Sequence, residues 1–110
     1  MTPDRVRGRP ANPMRGEATL HVAGRERTLR PTFAALVAAE DELGPLFALV
    51  ERASAGQLKL AEVAALFWHC LAERDLIARD ELGDAVTTAG LAASAKPLRA
   101  LLVQILQGNA

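Results

Sequence analysis

Residues 15–44, RGEATLHVAGRERTLRPTFAALVAAEDELG, decide the fold of this 110-residue chain. A run of alternating polarity from Glu17 to Ala23 predicts a half-buried strand. Gly24-Arg25 turns the chain, a second short strand follows, and Pro31-Thr32 opens a helix. A two-residue loop at Gly24-Arg25 pairs Ala23 with Glu26, Val22 with Arg27, and Leu20 with Leu29. That register places Ala18, Leu20, Val22 and Leu29 on one apolar face, with the Arg27 stem at its edge. His21 and Thr28 fall on the wetter face. Glycine at the first loop position suits a type II′ turn. A lone hairpin is marginal in water, so its apolar face must pack against helices.

The rest of the chain reads as helix. Thr32 is the natural N-cap of a helix over 32–43, with Phe33, Leu36, Val37 and Leu43 facing the core. The acidic cluster Glu40, Asp41 and Glu42 sits unfavourably near its C-terminal dipole. Gly44 ends this helix, and Pro45 starts a shorter one over 45–54 that turns Leu46, Leu49 and Val50 inward. A third helix, 60–73, carries Leu60, Val63, Ala64, Phe67 and Leu71 on one stripe, widened by Leu66 and Cys70. A fourth, 80–89, takes Asp80 as its cap and buries Leu82, Val86 and Ala89. A fifth runs from an N-cap at Ser94 through Gln107. Its stripe is Leu98, Leu101, Leu102 and Ile105 at i, i+3, i+4, i+7. The expected fold is mainly α within the α+β class: an N-terminal hairpin followed by four to five short helices in one small orthogonal bundle. The domain should span 15–108, and no internal repeat is present.

Composition sets further limits. Half the residues are apolar, but alanine supplies 22 of them and only four are aromatic, which favours helix and a thin core. Net charge is zero yet segregated: residues 1–31 hold seven Arg against three acids, and residues 32–110 hold six basic groups against ten acids. Residues 1–14, MTPDRVRGRPANPM, offer little to bury and read as a disordered basic tail. One cysteine excludes an internal disulfide and fits a reducing compartment. No apolar run approaches the roughly 20 residues of a membrane span, and no signal-peptide core is seen, so a cytoplasmic location is expected.

Chemistry is hard to find. His69 and Cys70 are adjacent on a helix and point about 100° apart, so they form no nucleophile–base pair. Glu73, Asp75, Asp80, Glu81 and Asp84 lack the glycine and ligand rhythm of a calcium loop. Scattered glycines make no phosphate cradle. No enzyme activity, cofactor or metal is expected. A helix–turn–helix regulator can be drawn over 60–89, but its reading helix would carry Asp80, Glu81 and Asp84 where phosphate contact needs positive charge. Nucleic-acid binding through it is disfavoured.

The opening NPMRGEATLHVAGRERTLRPTFAALVAAEDELG, the following LFALVERASAGQLKLAEVAALFWHCL and the later RDELGDAVTTAGL have the order and spacing of a known group. The chain resembles the gene transfer agent family of small phage-tail proteins, whose members are similar to tail assembly chaperones. The resemblance implies a non-enzymatic protein that protects the tape-measure protein, or another tail protein, before the tube polymerises. A second role, as tail tube component, sits less well with only about 12 residues that read as strand. The resemblance carries no catalytic motif. An elongated helical client would expose apolar stripes, which a helical domain with a small-residue surface could cover. Leu98, Leu101, Leu102, Ile105 and Leu106 are the candidate partner-binding residues, set against the simpler reading that the same stripe is core. Self-association is a further expectation, and no membrane partner is.

Overall fold

The hairpin forms as expected but two residues out of register. In the computed structural model, which describes residues 17–22 and 24–108, β1 (Ala18–Val22) pairs antiparallel with β2 (Arg25–Leu29). Ala18 lies opposite Leu29, Leu20 opposite Arg27, and Val22 opposite Arg25. The turn therefore lies between Val22 and Arg25, one residue earlier than expected. Gly24 is its second residue, at φ +80°, which removes the type II′ assignment. A slip of two leaves every side chain on its expected face, because side chains alternate with a period of two. Ala18, Leu20, Val22 and Leu29 are all buried, while His21 and Glu26 face solvent. The tail proposed for residues 1–14 lies outside the described residues.

Five helices follow: α1 (Phe33–Leu43), α2 (Leu46–Ser54), α3 (Leu60–Cys70), α4 (Arg79–Ala89) and α5 (Leu91–Gln107). A single 3₁₀ turn, Arg74–Leu76, separates α3 from α4. Thr32 caps α1 as expected, its Oγ1 accepting from the Ala35 N–H at 3.1 Å. The buried face of α1 is not the expected one. Ala35 and Ala39 are buried against α3, with Leu36 and Leu43 flanking them, while Phe33 is 85% exposed and Val37 is also exposed. Small residues at the contact let two helix axes approach closely, whereas a phenylalanine there would hold them apart.

Helix α3 is the centre of the domain, burying Val63, Ala65, Leu66, Phe67 and Cys70. It stops at Cys70, three residues short of expectation, because the chain turns into the sheet. Arg30 N donates to Cys70 O at 2.6 Å and Ala72 N to Thr28 O at 3.0 Å, so Leu71 makes a β-bridge with Leu29. This bridge closes part of the outer edge of β2. Leu60, expected in the α3 stripe, is exposed.

The start of α4 also differs. Ala78, not Asp80, occupies the N-cap position, and Glu81 reaches back to its N–H at 3.4 Å. Leu82 and Val86 are buried and Ala89 is exposed. Gly90, at φ +90°, is the single residue that joins α4 to α5, through a bend of 117°. Few residues besides glycine adopt that backbone without strain. Helix α5 begins at Leu91, three residues before Ser94, which lies buried inside the helix and is not its cap. Pro97 also lies inside α5, where it has no N–H to donate to the carbonyl of Ala93. Among the described residues no single helix is long and apolar enough to cross a membrane.

Candidate functional site

One face of α5 is left half covered. Helix α2 and the loop after it pack beside α5, and between them runs an apolar groove of about 480 Å³. Val50, Ala53 and Leu58 form one wall, Val63 contributes from α3, and α5 supplies the other wall from Leu91 to Gln107. The α5 lining recurs every three to four residues: Leu91, Ser94 and Ala95, Leu98 and Arg99, Leu102 and Val103, Leu106 and Gln107. That spacing is a helical ridge, so the groove follows α5 for about 24 Å.

The structure divides the five candidate partner-binding residues. Leu98 and Leu102 are half-buried and line the groove, and Leu106 lines it at 53% exposure. Leu101 has no exposed surface and belongs to the core, while Ile105 packs against the core and does not line the groove. Sequence reasoning missed Val50, Leu58, Leu91, Arg99 and Val103. Placing the helix start at Ser94 hid the first turn, and with it the extension of the ridge back to Leu91. Arg99 is the only charged residue in the lining, and it has no ion-pair partner among the described residues.

The titratable groups elsewhere serve the fold. Cys70 is buried, and desolvation pushes its thiol up to about 12, far from a reactive thiolate. His69 Nε2 lies 2.8 Å from Glu42 Oε1, and Arg79 donates to the other oxygen of the same carboxylate. Arg79 first, then His69, hold Glu42 below the usual carboxylate range. One carboxylate thus ties α1, α3 and α4 together. Glu40 Oε2 accepts from the Leu46 N–H at 3.0 Å and so caps α2. The acidic end of α1, costly to its own dipole, is used to join three other helices. Glu73 sits 4.0 Å from Arg27, beneath the hairpin. Among the described residues no group of three His, Cys, Asp or Glu side chains could hold a metal ion. On α4, Asp80, Glu81 and Asp84 are exposed and Arg79 is engaged by Glu42, so this helix presents acid where a DNA-reading helix needs base.

Residues 15–108 match the model of a family described as phage tail tube protein, GTA-gp10. No curated protein and no solved structure matches the chain.

Proposed function

Because the chain belongs to the GTA-gp10 phage tail tube family, we propose that it is a non-enzymatic assembly chaperone of a phage-like tail, acting in the cytoplasm on the tape-measure protein. The observation that carries this reading is the α2–α5 groove. It is apolar, elongated and open along a helical ridge, which is the shape that accepts an amphipathic helix through anchors at i, i+3, i+4 and i+7. A long helical client would expose such stripes before assembly, and covering one would keep it soluble. Burial of apolar surface supplies the driving force, at roughly 25 cal/mol per Å² before ordering costs.

The description of the family favours a second reading, a structural subunit of the tail tube. Subunits that join around a ring through strands need long sheet edges. Here the described residues hold one hairpin of two five-residue strands, with part of its β2 edge closed by Leu71. That supports the chaperone role over the tube role.

Co-expression with the neighbouring tape-measure protein tests the proposal. A client that aggregates alone should become soluble in a complex with this chain, and Leu106→Asp should abolish the complex while leaving the fold intact. A folded Leu106→Asp variant that still solubilises the client would remove the groove from the mechanism. Long tubes assembled by the purified chain alone would favour the structural role.

A further inference from the structure

We propose that the α2–α5 groove also receives the outer ridge of α1 from a second copy of this chain, so that copies join head to tail. The inference rests on reading this groove as a docking site, and not on the identity of its client. The two surfaces match in length, polarity and charge.

Phe33, Val37 and Asp41 stand in one row on the outside of α1, at i, i+4 and i+8, and all three are exposed. Eight residues of helix span about 12 Å. On α5, Arg99, Val103 and Leu106 line the groove over a similar length. With the two helices antiparallel, Asp41 meets Arg99, Val37 meets Val103, and Phe33 enters beside Leu106. Asp41 and Arg99 each lack an ion-pair partner among the described residues, so the contact would pair both and leave no charge stranded in the apolar groove. Phe33 is one of two large exposed aromatics that the core does not use, and such residues are the usual anchors of an interface.

No residue of α1 lines the groove, so ridge and groove are separate patches. A head-to-tail contact between different patches leaves one ridge and one groove open at the ends, so it grows further unless the rotation between copies closes a ring. The expected product is a concentration-dependent series of species. A client helix and the α1 ridge would compete for one groove, so self-association would hold the groove covered until a client arrives.

The test is complementation, read by sedimentation velocity with helicity checked by circular dichroism. The wild-type chain should form a series beyond the dimer as concentration rises. Phe33→Asp, which spoils only the ridge, and Val103→Asp, which spoils only the groove, should each weaken association at least tenfold. Mixed together, they should form a one-to-one heterodimer that grows no further, because one intact ridge and one intact groove remain. Asp41→Arg and Arg99→Asp should each weaken association and together restore it. Phe47→Asp alters an aromatic that is 78% exposed but lies in neither surface, and should change nothing. A wild-type chain that stays monomeric, a mixture that forms no heterodimer, or an equal loss from Phe47→Asp would each overturn the proposal. A monomeric chain that still solubilises its client would leave the chaperone reading standing. A self-associating chain that never captures one would instead remove the chaperone reading and keep this one.

Discussion

Glu62 accepts from Arg52 Nη1 at 2.8 Å and from the Lys59 backbone N–H at 2.9 Å, joining α2 to the start of α3. Arg52 first, then the Lys59 N–H, hold its carboxyl down to about 2 from an ordinary 4.5. A folded pKa below the unfolded one stabilises the protein at pH above the unfolded value, and that stability is lost as pH falls through the folded value. Wild type should therefore be more stable than Glu62→Gln at pH 7. The difference in urea midpoint should start to shrink near pH 4.5 and be nearly gone by pH 2. A gap that stays constant across that window would show that Glu62 acts by packing and not by charge. Cys70 gives a second test at this scale. Its thiol is buried and pushed up to about 12, so a disulfide reagent should leave the native protein unlabelled at pH 8 and react at once in denaturant. Fast labelling of native protein would mean that the α3 end opens readily.

At the scale of elements, each part of the fold was legible where a period or a cap speaks for it, and obscure where packing chooses between two acceptable faces. The hairpin, the Thr32 cap and the Leu82–Val86 face of α4 follow from local rules. The burial of Ala35 and Ala39 does not, since α1 offers both an alanine stripe and a Phe33–Val37 stripe, and only contact with α3 selects the smaller side chains. Ser94 misled as well. It is a natural N-cap residue, which argued for a start there, yet the helix begins at Leu91, after Gly90. The groove was half legible: the α5 stripe was visible, but the wall supplied by α2 and the loop after it was not. Two expectations for α5 follow. Leu101→Ala should cost about 3 kcal/mol, because it leaves a cavity in a core with little slack, whereas Leu106→Ala on the groove rim should stay within about 0.5 kcal/mol. Urea unfolding distinguishes them, and equal losses would mean that the whole stripe is core. Because Pro97 interrupts the hydrogen-bond ladder, amides of residues 91–96 should also exchange faster than those of residues 98–107. Uniform protection along α5 would show that tertiary packing overrides the break.

Over the whole molecule the charges divide along the sequence, with three times as many Arg before residue 15 as acids and ten acids against six basic groups after residue 31. Five acids of the folded part serve the fold: Glu40 caps α2, Glu42 ties three helices, Glu62 and Glu81 support helix starts, and Glu17 pairs with Arg30 at 3.1 Å. Their paired basic partners, Arg30, Arg52 and Arg79, are thereby held in the domain and are poorly placed to contact phosphate. Because the folded part is also net acidic, affinity for duplex DNA should reside mainly in Arg5, Arg7 and Arg9, which precede the described residues. It should be weak and indifferent to sequence, and should fall steeply with salt, because a few Arg–phosphate contacts act only through counterion release. Deleting residues 1–14 should remove most of it while leaving the melting temperature of the domain nearly unchanged. Fluorescence anisotropy with two unrelated duplexes, at low and physiological salt, measures both features. A complex that prefers one sequence at physiological salt and survives the deletion would place a DNA-reading surface on the helices, against the acid that α4 presents there.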